Sequence, residues 1–240
     1  AMSLPPITSI PDNIVNIKNM YRGCPNLTSI NNFVFHENLV EVEGFILDCE
    51  KLVNANNVTI AGAFYNDLFR GVTSLKYVNN LLISYIGRSM IFSHMFDGCT
   101  NLLEMSFHDD SYTEQVISID YMFRGTSMKT VDFSNVSFPK VTSMKYLFAD
   151  SYMKEFSFTV PNTVVNITGI LSNCPNLKTL NNFNINTNVI ATDWLKDTNI
   201  TTLTDCSFFN KNTSFQGTTS LKTITNLTYT GQDFSNYFED

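Results

Sequence analysis

The chain has 240 residues, a formal net charge of −7, 43% hydrophobic residues and 15% charged residues. That apolar content supports a packed core and argues against disorder, while the acidic balance makes nucleic acid a poor partner for the molecule as a whole. No apolar run reaches the ~18 residues that a membrane span needs. No basic-then-apolar leader opens the chain, and Ala1-Met2 reads as an appended pair, so the chain is expected to be a piece of a longer protein.

Taken in order, the chain repeats one skeleton, most complete in Met95-Phe96-Asp97-Gly98-Cys99-Thr100-Asn101-Leu102-Leu103-Glu104-Met105. Aligned on the apolar anchor, the copies centre on Leu27, Leu52, Leu75, Leu102, Met128, Met153, Leu177, Ile200 and Leu221, at spacings of 21 to 27 residues. Tandem units of that length cannot bury an apolar side alone, so they stack into a solenoid. Residues 1–12 read as an N-terminal cap with a partial repeat, 13–226 as the solenoid of about nine units, and 227–240 as a C-terminal cap or truncated continuation.

Each unit opens with a short extended stretch such as Val141-Thr142-Ser143-Met144, then a turn such as Met95-Phe96-Asp97-Gly98 or Met122-Phe123-Arg124-Gly125. Two large apolar residues before Gly predict a single helical or 3₁₀ turn closed by a left-handed residue. Asp150 and Asn173 replace Gly in two copies and tolerate that conformation. A strand follows, with apolar residues at i, i+3 and then i+5 or i+6 from the anchor. Met105-Ser106-Phe107 represents the shorter class, and Ile30-Asn31-Asn32-Phe33 or Val78-Asn79-Asn80-Leu81 the longer one. The two classes predict different bends at the strand end, with the Asn side chains satisfying backbone groups.

These motifs, together with Val141-Thr142-Ser143-Met144-Lys145-Tyr146-Leu147-Phe148, resemble the leucine-rich repeats of the BspA-like type over roughly residues 13–226. The resemblance implies a right-handed coil with one parallel sheet and short helical turns. It also implies a non-enzymatic recognition or adhesion module, at a cell surface or secreted, binding a protein or polysaccharide of a host or neighbouring cell. It carries no catalytic residues and no cofactor. A structural or receptor-binding part of a larger assembly, such as a phage tail, is the alternative.

Cys24, Cys49, Cys99 and Cys174 fall just after the turn, and Cys206 at a slot filled elsewhere by Phe33 or Leu81. Few of them are neighbours in the stack, so free buried thiols are expected. No cluster has metal-ligand spacing, His94 reads as a half-exposed structural residue, and Trp194 reads as core. The strand exterior is more informative. Lys76, Lys129, Lys154, Lys178 and Lys222 share the i+1 position, interrupted by Leu103 and Thr201, with Tyr77 and Glu155 beside them at i+2. These seven residues are the candidate ligand contacts. The competing reading is a solvated sheet face with Glu104 and Glu155 pairing the lysines.

Overall fold

The computed structural model describes residues 8–62, 65–109, 111–131, 133, 136–156, 160–186, 188–208, 215 and 218–229. Residues 1–7 of the expected N-terminal cap (1–12) and 230–240 of the expected C-terminal cap (227–240) lie outside these. The nine anchors stack through about eight turns of a parallel solenoid. All described strands pair in parallel, each with its counterpart in the next coil, at the ~4.8 Å spacing of a β-ladder.

The strands are β1 (Val34–Phe35), β2 (Thr59–Ile60), β3 (Tyr77–Ile83), β4 (Met90–Ile91), β5 (Glu104–Phe107), β6 (Val116–Ser118), β7 (Thr179–Asn181), β8 (Asn184–Ile185), β9 (Thr202–Thr204), β10 (Ser207–Phe208), β11 (Thr223–Thr225) and β12 (Thr228–Tyr229). They form the sets β1-β2-β3-β5, β4-β6, β7-β9-β11 and β8-β10-β12. Bridges such as Ser29 to Asn54, Asn54 to Tyr77, Asn16 to Glu41 and Ser143 to Asn166 extend them. The single expected sheet is therefore divided among three ladders around the coil: one at the anchor, one just past it, and one ahead of the turn. β3 is the longest strand because Tyr77 and Val78 serve the first ladder while Leu82 and Ile83 serve the second.

The Met-Phe turn contains the main departure from expectation. It is closed by a left-handed residue as anticipated: Gly98 has φ +73°, Asp150 +59° and Asn173 +51°. It is not a helical turn, because a second left-handed residue stands four positions earlier in each coil. Asn19, Gly44, Asp67, His94, Tyr121, Tyr146, Gly169 and Asp193 fill that place. Between the two, amides bond alternately within the coil and across to the next. Asp97 N–H donates to His94 O at 3.1 Å, whereas Phe96 N–H donates to Met122 O at 2.9 Å and Gly98 N–H to Arg124 O at 2.8 Å. Turning every other peptide toward the neighbouring coil stops a helix from propagating. Among the described residues the one 3₁₀ helix is Thr113–Gln115, elsewhere in the coil.

The strand-end classes differ as predicted. In the longer class Asn32, Asn57, Asn80, Asn182, Asp205 and Asn226 are left-handed, with φ between +51° and +64°. Their neighbours form a ladder: Asn56 N–H donates to Asn31 Oδ1 at 3.0 Å and Asn79 N–H to Asn56 Oδ1 at 3.1 Å. Where a longer unit meets a shorter one, between β3 and β5, the register slips between Val78 and Leu81.

The core is an apolar column. Phe69, Phe96, Phe123 and Phe148 stack face to face at 5.2, 5.6 and 5.5 Å with interplanar angles of 16° or less. Each such pair adds about 0.5–1.5 kcal/mol beyond its burial. Trp194 is fully buried against Phe183 at 5.2 Å, in agreement with its reading as core.

Gly169 and Gly23 separate two costs. Both are left-handed, at φ +62° and +66°, but a Cβ on Gly169 would collide with the Tyr146 ring while one on Gly23 meets open space. Gly23→Ala is expected to lose about 1 kcal/mol from backbone strain alone, and Gly169→Ala clearly more. Urea denaturation of both variants and of the Tyr146→Ala/Gly169→Ala double variant checks this. The double variant should recover part of the Gly169→Ala loss beyond the sum of the single effects.

Candidate functional site

Two long faces of the solenoid carry the polar side chains, and they treat charge differently. On the turn face, basic groups are neutralised from coil to coil. Lys18 Nζ lies 2.7 Å from Glu43 Oε2, Arg22 Nε 3.2 Å from Asp48 Oδ2, and Lys145 Nζ 3.6 Å from Asp120 Oδ2. The Lys18 ammonium is held above its ordinary pKa by the hydrogen bond and charge of Glu43, which is itself held below the usual carboxylate range by Lys18.

The densest turn-face cluster surrounds Asp97, a carboxylate 4% exposed. Arg124 donates to it twice, Nε to Oδ1 and Nη2 to Oδ2, both at 2.8 Å. Arg70 Nε is 3.4 Å from Oδ2, and His94 Nδ1 is 2.8 Å from the same oxygen. The hydrogen bond to Asp97 raises the Arg124 pKa further. The His94 ring stacks on Tyr121 at 4.5 Å, Tyr121 stacks on Tyr146 at 5.0 Å, and Arg124 lies over the Tyr121 ring at 5.0 Å. His94 is thus the half-buried structural residue anticipated, but the aromatic ladder it begins was not foreseen. Nothing in a single unit marks the residue before Met-Phe as left-handed, and the ladder emerges only when units are superposed. The Asp97 carboxylate is taken up by these partners within the protein.

The strand face is different. Backbone bonds place its i+1 residues in one column: Leu103 N–H donates to Lys76 O at 3.0 Å, Lys154 N–H to Lys129 O at 2.9 Å, Thr201 N–H to Lys178 O at 2.8 Å and Lys222 N–H to Thr201 O at 3.0 Å. Lys76, Lys129, Lys154, Lys178 and Lys222 are all exposed. Among the described residues, no ion pair involves any of these five lysines, Glu104 or Glu155. The competing expectation of glutamate partners therefore finds no contact. Tyr77, expected as an exposed aromatic, is half-buried in the first ladder. An exposed ring stands instead at Tyr152, 57% accessible, one residue before the anchor Met153 and two before Lys154. Sequence reasoning passed over Tyr152 because the other units carry Asn, Ser or Lys there; an alignment read at the position before the anchor would have singled it out.

The cysteines are core residues. All five are free; Cys24 is half-buried and the rest are buried. Cys49 Sγ donates to Tyr21 O at 2.9 Å, Cys99 Sγ to Phe69 O at 3.0 Å and Cys174 Sγ to Phe148 O at 3.1 Å, so each thiol bonds a turn carbonyl of the preceding coil. Thr126 and Thr198 hydroxyls, at the same place, bond turn carbonyls of their own coils. Among the described residues no group of three or more His, Cys, Asp or Glu could hold a metal ion, and no helix is long and apolar enough to cross a membrane.

The stacked parallel coils, apolar interior and asparagine ladder define a solenoid of the leucine-rich-repeat kind. No protein-family model and no curated protein matches the chain. Among solved structures it is similar to a leucine-rich repeat protein from Bacteroides ovatus, at 13% identity and a TM-score of 0.38, over 92% of this chain and 68% of that one.

The thiols supply a direct check. Burial pushes the Cys174 thiol up to about 11 and raises those of Cys49, Cys99 and Cys206 as well. A raised folded-state pKa stabilises the fold below the free-thiol value of about 8.5, and that contribution is lost as pH climbs toward the folded value. In native protein at pH 8, a thiol reagent is expected to modify Cys24 first and the other four only on unfolding. Rapid modification of several native thiols would contradict the packing.

Proposed function

We propose that this chain is a non-enzymatic recognition module whose ligand lies along the strand face. The supporting observation is the segregation of charge. The ion pairs of Lys18, Arg22, Arg70, Arg124 and Lys145 lie on the turn side, while five lysines of an acidic protein stand in one exposed column with no ion pair among the described residues. Like charges repeated at ~4.8 Å repel, and an anionic ligand relieves that repulsion. A broad, shallow repeat face suits a macromolecule, because a small molecule needs a concave site that buries most of its surface. Lys76, Lys129, Lys154, Lys178 and Lys222 supply the charge in this reading, with Glu155 and the rim of Tyr77 flanking them.

In keeping with the sequence resemblance to BspA-like repeats, the module is proposed to act at a cell surface or in secreted form, with a protein or glycan of another cell as its partner. Adhesion is the role that such a face serves.

Salt elution from an immobilised dextran sulfate surface tests the reading. Wild-type protein should be retained. The Lys129→Glu/Lys154→Glu/Lys178→Glu variant should bind roughly a hundredfold more weakly, at ~1 kcal/mol for each reversed contact. Lys18→Glu on the turn face should leave retention unchanged. Equal retention of the triple variant and wild type would remove the strand face as the ligand site.

A further inference from the structure

Resting on the strand-face reading, the geometry points to a narrower ligand class: we infer that the face binds a linear polymer of uronic acids laid along the solenoid axis. Three features of the face carry this.

The first is charge spread along the axis. The i+1 column advances by one coil, ~4.8 Å, at each step, so Lys76 to Lys222 spans about 29 Å over six steps, with lysine at five of the seven positions and Leu103 and Thr201 at the other two. A linear polyuronate carries one carboxylate per sugar, so its charge too is spread along its whole length. Successive sugars are rotated about the chain axis, and the flexible four-carbon stem of lysine lets an ammonium reach carboxylates on either side of the chain.

The second is Tyr152, whose ring stands 57% exposed two residues before Lys154, with Lys129 bonded to Lys154 through the backbone. An aromatic ring in that setting packs its face against the C–H face of a pyranose while the phenol stays in water. Exposed tyrosines near the centre of a contact surface are also where binding energy concentrates. The third is the hydroxyl ladder continuing the face: Thr179, Thr202 and Thr223 lie in register on β7, β9 and β11. These can donate to and accept from sugar hydroxyls.

The overall charge of −7 does not oppose such a ligand. The turn-face carboxylates at Glu43, Asp48, Asp67 and Asp97 are paired within the protein. Those on other sides of the solenoid are screened over a Debye length of about 8 Å at physiological ionic strength. Glu104 and Glu155 are the acidic groups set between lysines on the face itself, against five lysines.

Isothermal titration at low salt decides the matter, using polygalacturonate oligomers shorter and longer than the Lys76–Lys222 span, and poly-L-glutamate matched in total charge to the longer one. The long oligomer should bind at least roughly tenfold more tightly than polyglutamate, and affinity should rise with length until the span is filled. Tyr152→Ala, at an exposed position that leaves the core untouched, should weaken the oligosaccharide several-fold and leave polyglutamate unchanged. Polyglutamate binding as tightly as the oligosaccharide would overturn the uronate inference while leaving an anion-binding strand face intact. Binding of neither polymer would overturn it too, with the dextran sulfate comparison of the lysine variants then deciding the broader reading.

Discussion

The backbone hydrogen bond between equivalent turns of adjacent coils holds the rest of the structure in place. In the Met-Phe turn alternate amides point along the solenoid axis, as from Phe69 to Met95, Phe96 to Met122, Phe123 to Leu147 and Phe148 to Ile170. That arrangement requires a left-handed residue on each side of the apolar pair, which is why Gly, Asn and Asp recur there. It also brings each Phe directly over the last, so stacked rings and bonded backbone repeat with the same step. A buried amide left without its partner costs about 1–3 kcal/mol, and here the partner always belongs to the neighbouring coil. No unit is therefore stable alone, and cooperativity runs along the axis.

The same constraint sorts the surface. Because equivalent residues lie one coil apart, a residue type at one position becomes a column rather than a scatter. At the turn, opposite charges alternate along the axis and cancel, most densely where Arg70 and Arg124 meet Asp67 and Asp97. On the strand exterior, lysine fills five of the seven positions from Lys76 to Lys222, with Leu103 and Thr201 at the other two, and the charge accumulates. A solenoid thus turns a modest bias in sequence into a line of potential, with Tyr152 set into it as an aromatic contact.

The repeat, the anchors, the closing left-handed residue and the burial of Cys and Trp194 were legible because each depends on residue type at fixed spacing. The asparagine ladder was legible for the same reason: two Asn in succession at a strand end have few other uses. Three things were not. Three ladders replace one sheet because short extended stretches such as Val34–Phe35 and Asn166 pair only when coils stack. The left-handed Tyr121 and Tyr146 contradict their residue type; they are held by stacking on each other and, for Tyr146, by the room that Gly169 leaves. Tyr152 was obscured because it stands at a variable position, directly before the anchor, where the other units carry Asn, Ser or Lys.

The claim on which the functional account rests is that ligand contact falls on the lysine-bearing strand face. Hydrogen–deuterium exchange of the wild-type protein, with and without saturating polygalacturonate, tests it without altering a residue. The account predicts slowed exchange in the segments around Lys76, Lys129, Lys154, Lys178 and Lys222, and unchanged exchange in the turn segments 94–98 and 121–125. Protection confined to the turn segments would contradict it.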